Sequence, residues 1–301
     1  MTDHMQHNKT AVALGFFDGL HTGHMHVLCR TAEEKENGLT PTVLLFDEHP
    51  AAVLTGSAPQ QILPNTIRNG ILDDMGIARQ VVSFRTLQSL TPEEFVRTIL
   101  CGTLRAGFVA CGFNYRFGIH GTGTAQTLQA LCAQQNIRCA IVGETAYNGS
   151  PVSSTRIRQA LAQGNAAAAA AMLGRPFTYD FEVMDGDKRG RLLGTPTINQ
   201  YFPAGFMVPA FGVYASFVQL DGCIHPAVTD IGMRPTFNGT APRSETWIMD
   251  YAGDLYGQHI RVQLLEYLRP EVRFPDADAL RAQIHRDAAT SRETLNKYLK
   301  K

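Results

Sequence analysis

His21 and His24 stand three residues apart in GFFDGLHTGHMHVL, Gly15 to Leu28, directly behind the apolar run TAVAL. A loop that leaves a strand and enters a helix offers unpaired backbone N–H groups and a positive dipole end to an anion. Gly15, Gly19 and Gly23 let backbone approach a phosphate closely, with Phe17 and Asp18 between them. On one face of a first helical turn, both imidazoles donate hydrogen bonds to phosphate oxygens and stabilise charge that builds during attack. A metal site is the competing reading. It needs a third ligand, and no H-E-x-x-H or acidic partner occurs at a fitting spacing. For H-x-x-H alone, two surface histidines would be the plain alternative.

Three further stretches carry groups suited to phosphate and flat rings. In SSTRIR, the hydroxyls of Ser153, Ser154 and Thr155 precede Arg156 and Arg158, whose forked guanidinium groups grip phosphate at two points. Alone, that stretch reads equally as a capped helix with two solvated arginines. CGFNYRFGIHGTGT offers Phe113, Tyr115 and Phe117 for stacking, Asn114 for hydrogen bonding and Arg116, although each aromatic fits a core or rim position as well. GDKRGRLLGTPTIN combines Gly186 and Gly190 with basic Lys188, Arg189 and Arg191, then oxygen donors Thr197 and Asn199. Magnesium favours hard oxygen ligands, and uncharged ones leave most of the negative charge to a nucleotide. No G-x-x-x-x-G-K-[ST] occurs, so a kinase here holds phosphates differently from a P-loop enzyme. Glu245, opening ETWIMDY, is placed to accept the proton of an attacking alcohol, or else to face Arg243 as a surface pair.

The elements that position these groups follow from the apolar pattern. AVALGF, TVLLF (42–46), QVVSF (80–84), FVACGF (108–113) and CAIVG (139–143) read as strands. Helical patterns lie between them at about 25–35, 66–75, 92–100 and 125–135. Continuous apolar strands alternating with helices predict a doubly wound parallel α/β sheet with ligands at its carboxyl ends. Ser153 or Ser154 caps a helix, and the alanine run after Asn165 forms another that stops at Gly174 and Pro176. Beyond about 175–179, closely spaced β-rich runs with glycine and proline turns predict a small antiparallel β-barrel. PDADALRAQIHRDAATSRETLNKYL is one C-terminal helix, and GDLYG is a turn with Tyr256 packed beneath it.

The 301 residues suffice for two domains, here 1–175 and 176–301. Lys plus Arg and Asp plus Glu both number 27, a balance that disfavours nucleic-acid or membrane-surface binding. The six cysteines, at 29, 101, 111, 132, 139 and 223, form no C-x-x-C pair and read as reduced, mostly buried thiols. The polar start MTDHMQHNKT resembles no signal peptide and no segment is apolar enough to span a bilayer, which reads as cytoplasmic.

GFFDGLHTGH resembles the H-x-G-H signature of the nucleotidyltransferase superfamily. In the form G-x-F-D-G-x-H-x-G-H it resembles the adenylyltransferase half of bacterial bifunctional riboflavin kinase/FAD synthetases. LLFDEHP is similar to that family's T-F-x-P-H-P, CGFNYRFG to G-x-x-[YF]-R-F-G, and SSTRIR to its second nucleotide signature. GDKRGRLLGTPTINQYFP is similar to its kinase motif, with IGMRPTF, ETWIMDYAGDLYG and EYLRPEVRF following in order. The resemblance implies a nucleotidyltransferase-type sheet domain for FMN adenylylation and a barrel domain for riboflavin phosphorylation. Substrates and products would be riboflavin, FMN, FAD, ATP and pyrophosphate, with magnesium. It implies catalytic roles for Glu245, His21, His24 and Arg156 and ATP contacts through Gly15–Gly23, Ser153–Arg158 and Gly186–Arg191. Flavin would lie by Phe46, His49, Asn114, Tyr115, Arg116 and Phe117, and the metal by Thr197 and Asn199. Phe16, Leu45, Glu48, Thr195, Ile198 and Asp230 depart from the family pattern. They define a narrower alternative, a riboflavin kinase whose adenylyltransferase is weakened or lost. Two further readings, an adenylyltransferase for phosphopantetheine and a non-catalytic flavin- or nucleotide-binding regulator, fit the residues less fully.

Overall fold

The computed structural model describes residues 9–186, 194–236 and 239–300, with backbone alone at 234–236 and 239. The chain forms two compact units, one of Met1–Pro59 with Arg68–Val152, the other of Gln60–Ile67 with Ser153–Lys301.

Five parallel strands make the first unit's sheet: β1 (Thr10–Leu14), β2 (Thr40–Phe46), β3 (Ala78–Val82), β4 (Ala106–Gly112) and, after two short strands, β7 (Arg138–Val142). β5 (Arg116–Phe117) and β6 (Gly123–Thr124) form a small hairpin of their own, as do β8 (Ala146–Tyr147) and β9 (Ser150–Pro151). The order β3-β2-β1-β4-β7 puts the apolar runs AVAL and VLL at the centre, where residues 11–14 and 43–45 are buried. Parallel neighbours need crossovers. These are α1 (Thr22–Ala32), α2 (Pro50–Thr55) with α3 (Asn65–Asp74), α4 (Phe84–Leu87) with α5 (Pro92–Glu94), and α6 (Ala125–Gln134).

Two boundaries differ from the sequence pattern. Phe84 starts a helix instead of ending a strand, because Asp47 Oδ1 accepts its N–H at 3.1 Å and turns the chain. The periodic stretch from Pro92 becomes α5 and then a π-helix, Phe95–Thr103, which buries Phe95, Val96, Ile99 and Leu100. At the end of α1, Glu34 is fully buried. It accepts from Arg30 at 2.9 Å, Arg138 at 3.1 Å and Asn37 at 2.9 Å, and both guanidinium groups lie over Phe108. Burial pushes this carboxyl up, but the donors, Arg138 foremost, hold it below its ordinary range.

The second unit opens with α7 (Ser154–Ala162) and α8 (Ala166–Leu173), the alanine run packing as a true helix ended by left-handed Gly174. Six antiparallel strands follow: β10 (Phe177–Glu182), β11 (Thr197–Tyr201), β12 (Gly212–Leu220), β13 (Cys223–Thr236), β14 (Gly239–Ile248) and β15 (His259–Arg269). Their order is β10-β15-β12-β13-β14-β11, and a bridge between Met184 and Asn199 joins the two ends of the curled sheet. Alternation puts Tyr179, Gln200, Ser216, Thr229 and Thr246 inside, where Thr229 bonds Ser216 at 2.8 Å and Thr246 at 2.9 Å. The opposite face carries Val213, Val228 and Trp247, against which α9 (Ala277–Leu299) packs Ala288. Asp287 of α9 binds Arg269 of β15 twice over, at 2.8 and 3.0 Å. Asp254 caps the GDLYG turn by accepting from Tyr256 N at 3.1 Å, but Leu255 is the buried residue and Tyr256 is exposed.

Candidate functional site

In the first unit the candidate residues converge at the carboxyl ends of β1, β2 and β4. β1 ends at Leu14, and Gly15 follows in a turn where an added Cβ would lie 3.2 Å from the Phe17 ring. Phe17 is buried; Asp18 N donates to Phe16 O at 2.6 Å, and Gly19 takes φ 78°. This tight reversal delivers His21 to the N-cap of α1, where its Nδ1 accepts from His24 N at 3.2 Å. An accepting Nδ1 leaves the ring proton on Nε2, so neutral His21 remains a donor. The His21 and His24 rings stack at 3.6 Å and 15°, and Phe17 meets His24 edge-on at 5.3 Å. Gly23 makes room for this stack, since a Cβ there would stand 3.3 Å from the His21 ring.

Phe46, at the end of β2, lies parallel to Phe16 at 6.4 Å and meets Phe84 edge-on at 5.4 Å. His49 caps α2 through Nδ1, 3.0 Å from Ala51 N, and its ring touches Phe16 at 4.0 Å. The half-exposed Phe16 thus extends an aromatic surface that the sequence pattern did not assign. Asp47 is held well below the usual carboxylate range by the Phe84 N–H. After β4, Tyr115 stacks on Phe117 at 5.7 Å, Phe117 is buried and Arg116 is exposed. Asn114 follows Gly112 and Phe113 in the loop itself, where an added Gly112 Cβ would lie 3.5 Å from Asn114 Oδ1.

Ser153, Ser154, Thr155, Arg156 and Arg158 belong to the second unit. Ser153 caps α7, its Oγ accepting from Arg156 N at 3.3 Å, so Ser154, Thr155 and Arg156 form the first turn. Arg158 Nε binds Gln60 O at 2.6 Å.

On the barrel, Thr197 and Asn199 alternate along β11, and the register sets Asn199 beside Glu245 and Glu245 beside Asp230. All four share the outer face that carries Val228 and Trp247. Arg243, two residues before Glu245 on the same strand, binds Glu245 Oε1 at 2.7 Å and Tyr201 Oη at 3.3 Å. Burial lowers the Arg243 guanidinium, but Glu245 and Tyr201 more than offset it and keep it cationic. Gly186 lies against the Asn199 amide so closely that any Cβ would collide with it. Lys188, Arg189, Gly190 and Arg191 lie outside the described residues. The cradle of Gly186 over uncharged oxygen donors suits a hard cation already bound to phosphate. Arg243 and Asp230 gain meaning from cross-strand register, a signal that only the i, i+2 spacing of Arg243 and Glu245 hints at.

Comparison with known proteins covers both units. A family model described as FAD synthetase matches residues 3–156, and one described as riboflavin kinase matches residues 173–295. A bifunctional riboflavin kinase/FMN adenylyltransferase from Listeria monocytogenes is 33% identical over 297 residues, covering 97% of this chain and 94% of that one. The Escherichia coli protein of the same name is 36% identical over 288 residues, covering 94% and 91%. A crystal structure from Streptococcus pneumoniae, described as a macrolide-efflux protein, matches with a TM-score of 0.84 at 30% identity, covering 95% of this chain and 94% of that one. Among the described residues, no helix is long and apolar enough to cross a membrane. With relatives this similar along nearly their whole length and both domain models matched in series, the chain belongs to the bifunctional riboflavin kinase/FMN adenylyltransferase family.

Proposed function

We propose that this chain phosphorylates riboflavin to FMN with ATP and then adenylylates FMN to FAD, releasing pyrophosphate. The observation that carries this reading is the pair of domain matches, one for each reaction, on a single chain. We assign the first reaction to residues 176–301 and the second to 1–175, counting the first turn of α7 with the adenylyltransferase because the FAD synthetase match runs to residue 156. A cytoplasmic location goes with these substrates.

In the kinase, Glu245 accepts the proton of the riboflavin primary alcohol as its oxygen bonds to the γ-phosphorus of ATP, while the bond to the β,γ-bridging oxygen breaks and ADP leaves. Arg243 orients that carboxylate. Thr197 and Asn199 would hold magnesium, which when bound neutralises charge on the ATP phosphates. Gly186, Lys188, Arg189, Gly190 and Arg191 serve the same phosphates.

In the adenylyltransferase, an FMN phosphate oxygen bonds to the α-phosphorus of ATP while the bond to the bridging oxygen breaks. The attacking group is already anionic, so positioning and charge stabilisation matter more than a base. His21 and His24 donate to the reacting phosphate, Ser153, Ser154, Thr155, Arg156 and Arg158 hold the triphosphate, and the Gly15–Gly23 turn supplies backbone donors. Phe46, His49, Asn114, Tyr115, Arg116 and Phe117 border the flavin.

The test supplies riboflavin and magnesium ATP and follows both products by chromatography. FMN should appear first and FAD after it. Folded protein that makes no FMN overturns the kinase assignment, and FMN without FAD establishes the narrower kinase reading.

A further inference from the structure

Four of the six cysteines meet on one side of the parallel sheet: Cys111 of β4, Cys132 near the end of α6, Cys139 of β7, and Cys101 packed against them. Cys139 and Cys101 are packed against the core cluster that buries Cys111 and Cys132. Those two are 0% exposed, whereas Cys139 lies on an edge strand and is partly exposed. Among the described residues, no group of three or more His, Cys, Asp and Glu side chains is arranged to hold a metal ion. The chemistry open to this cluster is that of the thiols themselves.

We propose that Cys139 is an oxidation site, converted by a hydroperoxide to a sulfenic acid that Cys132 resolves as an intramolecular disulfide between α6 and β7. The Cys139 sulfur attacks a peroxide oxygen, the O–O bond breaks, and the departing oxygen leaves as water. The Cys132 sulfur then attacks the Cys139 sulfur, the S–O bond breaks, and a second water leaves with the Cys132 proton. Two thiols lose two electrons in all, and one hydrogen peroxide becomes two waters.

Cys139 reacts first because it is partly exposed on an edge strand and a peroxide can reach it, whereas Cys111 and Cys132 are closed off from solvent; its thiol neighbours also lower its pKa. The neighbouring Cys139 thiol, together with burial, pushes the Cys111 and Cys132 thiols up. Cys132 is the better resolving partner for a geometric reason. Cys111 is fixed by ladders to β1 and β7, and its register partner is Ile141, which leaves Cys139 on a diagonal. Cys132 lies outside the sheet ladders, in the last turn of α6 just before the turn at 135–137, in which Asn136 takes φ 55°. A short approach of a helix end is compatible with disulfide geometry; shifting a central strand is not.

The experiment exposes the full chain to graded hydrogen peroxide, blocks remaining thiols with N-ethylmaleimide and maps the products by peptide mass spectrometry. A Cys132–Cys139 cross-link, two hydrogens lighter than the paired peptides and reversed by dithiothreitol, is expected. Cys132→Ser should stall at a sulfenic acid on Cys139 that dimedone traps, and Cys139→Ser should give neither product. Mapping on the unaltered chain needs no variant to fold. If Cys139 stays alkylatable at peroxide levels that oxidise exposed Cys29 and Cys223, or if it cross-links to Cys111, the proposal is wrong.

Discussion

The carboxylate of Glu245 accepts from Arg243 at 2.7 Å, an ion pair that fixes its orientation. Glu245→Gln keeps the shape and removes proton acceptance, so FMN formation should slow by roughly 10²- to 10⁴-fold. Adenylylation of supplied FMN by the same variant should be unchanged, which a coupled pyrophosphate assay reads. The converse holds for His21→Ala, where loss of a preorganised donor should lower FAD formation by roughly 10²- to 10³-fold with FMN formation intact. Phe16 sets a finer test. Its edge contact with His49 at 4.0 Å and its parallel placement with Phe46 suit a flat ring. An aromatic pair is worth about 0.5–1.5 kcal/mol, so Phe16→Asn should raise KM for FMN by roughly 2- to 12-fold and leave KM for ATP alone. His21 and His24 were readable from the sequence because one short loop carries both. The pairing of Arg243 with Glu245 was one of the two readings that the sequence left open. Phe84 and Asp230 were not readable, because chain reversal and strand register bring them to their partners from distant positions. The cysteine cluster was hidden for the same reason, its members scattered from 101 to 139 without a motif.

Secondary-structure elements are anchored here by a few polar groups whose removal is measurable. Asp287 fastens α9 to β15 through a two-point bond to Arg269, and both side chains are largely buried. Asp287→Ala strands the arginine, and a loss of about 3–5 kcal/mol is expected in urea unfolding of the barrel. Glu34 does the same for α1, and it carries a pH signature. Its folded pKa lies below the ordinary 4.5, so its contribution is complete above that value and is lost as pH falls below it. Thermal melts of Glu34→Gln should therefore show lower stability near pH 7 and a shallower decline below about pH 4.5 than the unaltered chain. The strands of the parallel sheet were legible because their apolar runs are continuous. The limits of legibility lie where two patterns share residues. Alternation carried the third strand to Phe84 until a side-chain acceptor on Asp47 turned the chain, and helical spacing from Pro92 gave no warning of a π-helix. On α9, the helical spacing of Leu280, Ile284, Ala288 and Leu295 in the sequence includes the buried Ala288 and Leu295 but passes over Asp287 and Ser291, which are buried through hydrogen bonds.

At the scale of the molecule, two reactions in series share one polypeptide, and each should fail alone. A mixture of the Glu245→Gln and His21→Ala proteins should restore FAD production from riboflavin, because FMN released by one variant serves the other; chromatography of the mixture checks this. The division of the chain has a consequence of another kind. It passes from one unit to the other at Pro59, returns at Ile67 and leaves again at Val152. The octapeptide Gln60–Ile67 is no tether: Gln61 N bonds Gly205 O at 2.8 Å, Met207 N bonds Gln61 O at 2.9 Å, and Thr66 Oγ1 bonds Asp180 at 2.7 Å. No single cut in the gene can therefore yield both enzymes whole. A C-terminal fragment begun at Ser153 lacks these partners and should melt earlier than the same fragment supplemented with a synthetic 60–67 peptide. Separating the pair by genetic scissors calls for a graft, with that octapeptide spliced back onto the piece it completes.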